Sequence, residues 1–515
     1  MLDRLWFLIP EFILLAGAMV CAIGGISTFA PIRKRVGFIA SIFLVIALFS
    51  VPYVYGQTDY THPETMLPGL GKYIKMMAAF VGLLLVATSG GLIDRGYERA
   101  IGAGKDRFDP LRANSGEFHA LLLLSLTGVM LICEARDLIW LFLALELVSL
   151  PTYVMVAISR WSKTAQEAAM KYFFLGALSA ALMLYGFALL YVSTGTLVLQ
   201  EITEAFSVQQ NNGGLLVIAQ VGMLLAIFGL LYKIAAAPMH LYAPDVYQGA
   251  ASAVTAFLAF VPKTAGMIAI ILLLSTVGWE DGLPPAIEMA LWVVAVLTMI
   301  LGNIGALLQR SVKRMLGYSS IAHSGYMLIG VIAGPELGLP AVLVYLFIYG
   351  ITNTAAFATL ASLSRGGKRV DSLEDIAGLY TTSPLAAASM SVASGSLLGI
   401  PPLFGFWGKL LLFAAGIAAG QISLIIVAAV SSAISAWYYL RLIGLSLLSN
   451  PHNHGERTKV TLRWPLAVAV VGACISIAGP LVLEGVMMDA KEAITLPESE
   501  LAMSLPSLEV DDERE

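Results

Sequence analysis

Glu146, Lys233, Lys263 and Lys409 each stand inside a run of residues otherwise apolar enough to cross a bilayer. A charge at that depth costs ~2.5–3.5 kcal/mol on insertion scales, so it is rare and marks an ion or substrate pathway. A lysine near the end of a run can snorkel to water along its own stem. That reading competes most strongly for Lys233 and least for Lys263, which has apolar sequence on both sides in AFVPKTAG. Glu146, in LFLALELVSLPT, has no long stem and must be protonated or paired. Desolvation disfavours a charged lysine and a nearby carboxylate restores it, so a lysine beside a protonatable glutamate has two accessible states. A series of such groups passes protons by electrostatic coupling without a cofactor. Sodium coordination would call for carboxylates, carbonyls and hydroxyls rather than lysines. The four charges are therefore the expected proton relay, and structural ion pairing is the competing reading.

Three further residues are weaker candidates. His240 and His323 fit a secondary relay or a buried histidine satisfied by backbone. Lys171 fits either a boundary charge or a pathway residue. Glu11, close to the start of its run, is expected at the membrane interface.

The elements that must position these residues are membrane helices. Of 515 residues, 58% are hydrophobic and only 12% charged, with mean hydropathy +0.83. Soluble domains carry about 25% charged residues, so the solvent here is lipid. A spanning helix needs about 20 apolar residues. Such runs fall near 5–29, 37–55, 74–93, 117–134, 138–158, 168–194, 214–242, 251–275, 287–308, 315–334, 339–362, 384–416, 420–446 and 464–485. The expected fold is an all-α polytopic membrane protein of about fourteen transmembrane helices. The start MLDRLW lacks a basic region, and the first run is expected as a retained span. Cys21, Cys133 and Cys474 lie far apart, without a CxxC or a Cys/His cluster, which argues against disulfide frameworks, zinc and iron–sulfur ligation. Nothing points to nucleic acid.

Loops after odd-numbered runs are mostly basic: Arg33, Lys34 and Arg35; Arg95, Arg99, Lys105, Arg107 and Arg112; Arg160 and Lys163. The pattern continues with Arg310, Lys313 and Arg314, with Arg365, Lys368 and Arg369, and with Arg457, Lys459 and Arg463. Loops after even-numbered runs are nearly bare of Lys and Arg, with Lys72, Lys75 and Arg136 as mild exceptions. Basic loops stay in the cytoplasm, so both termini are expected on the other side.

The seventh and twelfth runs are interrupted by proline, at Pro238 and at Pro401-Pro402. In lipid, a broken helix survives only where protein or a water-filled cavity satisfies the freed backbone. Breaks five runs apart fit two five-helix repeats, and an odd repeat length makes the copies inverted. The expected organisation is 1–116 for three leading helices, 117–275 and 287–446 for the repeats, 447–497 for a last helix region, and 498–515 for an acidic tail.

Four motifs carry a family resemblance: EAAMKYFFLGALS (Glu167 to Ser179), AAPMHLYAPDVYQG (Ala236 to Gly249), KRMLGYSSIAHSGY (Lys313 to Tyr326) and GIPPLFGFWGK (Gly399 to Lys409). The chain resembles the antiporter-like membrane subunits of respiratory complex I, from about Pro10 to about Leu445. Lys409, where the sister subunit-M type usually has glutamate, and the start IPEFILL (Ile9 to Leu15) point to the subunit-N type. The resemblance implies that Glu146 and Lys233 form a pair, that Lys263 is the central relay and that Lys409 lies on the exit side. It implies proton translocation coupled to quinone reduction elsewhere in a complex I-type NADH:quinone oxidoreductase. The chain itself would hold no cofactor; NADH, flavin, iron–sulfur clusters and quinone would belong to partner subunits. Neighbours would be the M-type subunit and small J- and K-type subunits, and the setting a bacterial plasma membrane. Trp407 and the stretch from Tyr349 to Thr354 depart from the family pattern without touching the lysines. A subunit of a multi-subunit cation/proton antiporter or of a membrane-bound hydrogenase shares the same fold and is the nearest alternative. A solute transporter or a helix-gluing scaffold would fit less of the pattern.

Overall fold

The computed structural model describes residues 2–56, 65–91, 101, 105, 115–160, 162–279, 282–365, 368–450 and 457–494. Most of the basic loop near residue 100 and the acidic tail from Glu498 to Glu515 lie outside them. Sixteen helices carry the architecture, labelled here in chain order. They are α1 (Ile9–Ile26), α2 (Ala30–Tyr55), α3 (Pro68–Thr88), α4 (Ser115–Ile132), α5 (Leu138–Ile158), α6 (Lys163–Thr194), α7 (Val217–Lys233) and α8 (Ala243–Gly249). After these come α9 (Ser252–Ser275), α10 (Pro285–Leu307), α11 (Val312–Ala333), α12 (Gly338–Ser362), α13 (Pro384–Leu398), α14 (Phe404–Ala418), α15 (Ile422–Leu447) and α16 (Arg463–Ala478). Among the described residues, eleven helices are long and apolar enough to cross a membrane. The three shorter apolar helices, α7, α13 and α14, all flank the two breaks.

Burial sorts the helices by position. Every residue of α9 from Ser252 to Leu274 is buried, and nearly all of α11 and α12 are. These three form the centre of the bundle. By contrast α2 and α15 expose large apolar side chains such as Phe38, Phe49, Ile426 and Trp437. In a lipid solvent, such exposure is the expected outer wall. Neighbours in sequence pack as neighbours in space: α6 on α7, α10 on α11 and α4 on α5.

Two features have no counterpart in the sequence reading. A short amphipathic helix, Leu199–Asn211, lies between α6 and α7 and carries Glu201 and Glu204. A three-stranded antiparallel sheet joins β1 (Leu363–Arg365), β2 (Lys368–Arg369) and β3 (Lys459–Val460) in the order β2-β1-β3. Its register sets Ser364 opposite Arg369 and Leu363 opposite Val460. The sheet ties together two of the basic loops.

The basic loops also meet around acidic residues on one face. Asp371 accepts from Arg160 at 3.4 Å and pairs with Lys313 at 2.9 Å. Asp245 joins Lys171 at 2.8 Å and Arg314 at 2.7 Å, and Arg365 pairs with Asp375 at 3.0 Å. Arg33, Lys34 and Arg35 fall within the first turns of α2 rather than in a loop.

Candidate functional site

Helix α7 ends at Lys233, and the chain then runs as an irregular segment to α8. Ala235 sits at φ 54, a left-handed backbone that turns the chain out of the helix. The freed polar groups are met by neighbours. Thr298 Oγ1 on α10 accepts the Ala237 N–H at 2.9 Å, and Tyr242 donates to the Tyr232 carbonyl at 2.8 Å. Ser324 on α11 donates to the Ile234 carbonyl. Irregular backbone in the bundle thus has protein partners, as burial in lipid demands.

Lys233 Nζ lies 3.0 Å from Glu146 Oε1 and also donates to Ser149 Oγ. Glu146 and Ser149 are three residues apart on α5, on one face of that helix. The lysine is buried, whereas the Glu146 side chain keeps 17% exposure at the outer edge. Gly266 on α9 allows the close approach: a Cβ there would lie 2.8 Å from the Lys233 Cβ.

Lys263, one turn before Gly266, donates to the backbone carbonyl and, at 2.8 Å, to the hydroxyl of Ser320. Its ammonium stands 4.7 Å from the centroid of the Tyr349 ring, within cation–π range. Ser320 also receives the Tyr349 hydroxyl at 2.7 Å and lies 3.2 Å from that of Tyr247. Asn353 donates to Tyr349 Oη at 2.8 Å. No carboxylate pairs with Lys263 among the described residues.

Farther along α11, His323 bridges two tyrosines, Tyr345 at 2.6 Å through Nδ1 and Tyr439 at 3.0 Å through Nε2. Ser319 bonds the same Tyr439 hydroxyl. Tyr326 presents its ring 5.0 Å from Lys409 Nζ and its hydroxyl to Asn303 at 3.2 Å. Lys409 donates to the Leu398 carbonyl at 2.8 Å and to Ser432 Oγ at 3.1 Å. Leu398 is the last residue of α13, so the second break itself supplies the acceptor. Gly399, at φ 91, makes the turn that exposes this carbonyl, and the aliphatic stem of Lys409 passes over it.

The four charges therefore form a line of separate polar sites gathered around α11, each with its own partners. Ser324 reaches the first break, Ser320 holds Lys263, His323 joins two tyrosines, and Tyr326 faces Lys409. Neutral hydroxyls both donate and accept, so the groups beside each lysine are of a kind that can exchange protons. The hydroxyl and tyrosine partners went unnoticed individually in the sequence. Their signal is the run SSIAHSGY (Ser319 to Tyr326), whose polar residues recur three and four apart within an apolar chain.

The weaker candidates separate. His323 lies in the line. His240 is buried in the irregular segment, with no hydrogen bond or ion pair from its ring to any of the four charges. Lys171 has a 45% exposed side chain and pairs with Glu167 at 2.9 Å and Asp245 at 2.8 Å, off the line. Two end-of-run residues are placed otherwise than expected. Glu11 and Lys75 are both buried and paired with each other at 2.9 Å. Both are enclosed by protein, because α1 packs against α2 and α4 beside the start of α3.

The family described as "NADH:quinone oxidoreductase/Mrp antiporter, TM" matches residues 135–435, which include all four charges. The chain belongs to this family. Among similar proteins, NADH-quinone oxidoreductase subunit N of Trichlorobacter lovleyi is 40% identical over 390 residues, covering 74% of this chain and 78% of that one. NADH-quinone oxidoreductase subunit N 1 of Rhizobium meliloti is 36% identical across 92% of this chain and 95% of its own. A chain of respiratory complex I from Thermus thermophilus superposes with a TM-score of 0.74 at 33% identity, covering 92% of this chain and 99% of that chain. A chain of the Mrp complex from Dietzia shares the fold, with a TM-score of 0.77 at 23% identity over 96% and 97%. The relatives carry the subunit-N name to which Lys409 and the start IPEFILL point, and the antiporter-like architecture is common to both assemblies.

Proposed function

We propose that this chain is a proton-translocating membrane-arm subunit, of the subunit-N type, in a complex I-type NADH:quinone oxidoreductase. The observation that carries the reading is the gathering of three buried lysines around α11, the first paired with Glu146 and the last at the second break. In this reading Lys233 holds its proton while paired with Glu146 and releases it inward when that pair loosens. Lys263, held only by dipoles and a ring face, receives and passes it on by way of Ser320, Tyr349 and His323. Lys409 delivers it at the second break. Lys171 and His240 serve at most as approach groups, since they lie off the line. Redox chemistry belongs to partner subunits, with NADH, flavin, iron–sulfur clusters and quinone held there and no cofactor in this chain.

The two breaks fit inverted five-helix units over 117–275 and 287–446, with both termini on the non-cytoplasmic side of a bacterial plasma membrane. The partly exposed Glu146 is the point where the line reaches the outer wall of the bundle. A neighbouring membrane subunit of the M, J or K type would cover it there.

Removing the gene and assaying membrane vesicles tests this reading. Loss of NADH-driven proton uptake together with quinone reductase activity is the expected result. If NADH-driven uptake persists and sodium-dependent proton exchange disappears instead, the chain is an antiporter subunit of the same fold.

A further inference from the structure

A second set of buried charges lies outside the line just described. Lys75, near the start of α3, is fully buried, and all three of its N–H groups have an acceptor nearby. These are the Phe7 carbonyl at 2.7 Å, Glu11 Oε1 at 2.9 Å and Glu134 Oε1 at 2.8 Å. Glu134, on the turn that follows α4, also accepts from the Tyr55 hydroxyl at 3.0 Å. The cluster thus joins α1, the end of α2, the start of α3 and the end of α4. Gly71 leaves the space for it: a Cβ there would lie 2.2 Å from Tyr55 Oη and 3.0 Å from Glu134 Oε1.

The two carboxyl groups are not equivalent. Glu134 accepts from both Lys75 and Tyr55, as an ionised carboxylate would. Glu11 is 1% exposed, and neither of its carboxyl oxygens meets hydrogen-bond geometry among the described residues, Oε1 being only ion-paired with Lys75. With both carboxylates ionised, Glu11, Glu134 and Lys75 would sum to one negative charge in a site that excludes water. Among the described residues, the remaining titratable groups facing it, Tyr55 and the neighbouring Cys133, supply no positive charge. An uncompensated buried charge is strongly disfavoured, whereas one proton on the set makes it neutral.

We infer that the Glu11–Lys75–Glu134 cluster is a proton-binding site separate from the lysine line, with the exchangeable proton on Glu11. Glu134 is occupied by its contacts with Lys75 and Tyr55. With an 8% exposed side chain, against 0% for Lys75 and 2% for Glu11, Glu134 is the group nearest water and the entry point for the proton. The site is mechanically close to the lysine line. Three residues after Glu134, Asp137 caps α5 by accepting the Trp140 N–H at 2.7 Å, and α5 carries Glu146.

Infrared difference spectroscopy of the chain isolated in its native membrane assembly tests this at neutral pH, without any electron donor. The parent-minus-Glu11→Gln spectrum is expected to show loss of one protonated carboxylic C=O band that shifts in heavy water. Glu134→Gln is expected to lose the same band although Glu11 remains, because one carboxylate then balances Lys75. Lys75→Met is expected to double the protonated-acid signal. Native gels confirm assembly of each variant, and the band in any one assembled variant suffices. Loss of ionised carboxylate bands alone in Glu11→Gln would overturn the inference, as would a band that requires added sodium. Proton pumping does not enter this readout, so the inference stands or falls independently of the proposed function.

Discussion

The two helix breaks use one device and carry different electrostatic loads. At the first, the lysine closes the helix before the break and meets a carboxylate across the bundle, Glu146 at 3.0 Å. At the second, the lysine lies beyond the break and is held by dipoles, the Leu398 carbonyl at 2.8 Å and Ser432 at 3.1 Å, with the Tyr326 ring alongside. An ion pair stabilises the charged lysine strongly and makes proton release depend on the partner's movement. A carbonyl and a hydroxyl hold an ammonium more weakly and leave it free to discharge. In the proposed relay the first break would hold a proton and the second release it, and that asymmetry would give the transfer its direction.

The largest expected effect comes from removing one half of the ion pair. Glu146→Ala leaves Lys233 buried beside Ser149 alone and should destabilise the subunit by ~3–5 kcal/mol. Lys409→Met removes no counter-charge and leaves only a carbonyl and a hydroxyl unpaired, a cost of ~1–3 kcal/mol. Thermal unfolding of the purified assembly compares the two; equal losses would erase the distinction between the breaks.

Gly266→Ala is the next test, because the added methyl meets Lys233 Cβ at 2.8 Å and Ile234 Cγ2 at 2.7 Å. Overpacking of this kind costs ~1–3 kcal/mol, and here it also displaces the pair. Quinone reductase activity should fall with assembly intact. Activity at the parent level would mean that Lys233 has more freedom than its packing implies.

Smaller still are the losses of single backbone acceptors or donors at the breaks. Ser324→Ala frees the Ile234 carbonyl at the first break, and Ser396→Ala frees the Gly405 N–H, held at 3.0 Å, at the second. Each should cost ~1 kcal/mol, read as a shift in the unfolding midpoint. The smallest effect belongs to Lys171→Met. Its partners lie in half-exposed surroundings, so proton uptake should stay within ~2-fold of the parent. A collapse of uptake would bring Lys171 into the path.

The sequence revealed the breaks and the four charges because each is a strong local signal. A proline ends a helix wherever it falls, and a charge in an apolar run is conspicuous by itself. Partners that are only polar gave no such signal. Ser149, Ser320, Ser432, Tyr349 and Tyr439 are ordinary residues of membrane helices until packing points them at a lysine. Glu11 and Lys75 were misplaced for a related reason. Each sits near the end of its own run, where an interfacial position is the default, and only the packing of α1 against α2 and α4 closes the site around them. The sheet that β1, β2 and β3 form was equally hidden, since its strands have two or three residues and β3 is remote in sequence from the other two.

Proton movement along the buried lysine line can be tested at its first lysine. The most direct test places Lys233→Ala in the chromosomal gene and measures NADH-driven proton uptake in membrane vesicles, with assembly checked on a native gel. A normally assembled complex with proton uptake and coupled quinone reduction largely lost is the expected result. Full proton uptake by an assembled Lys233→Ala complex would contradict it and leave the lysine a structural role only.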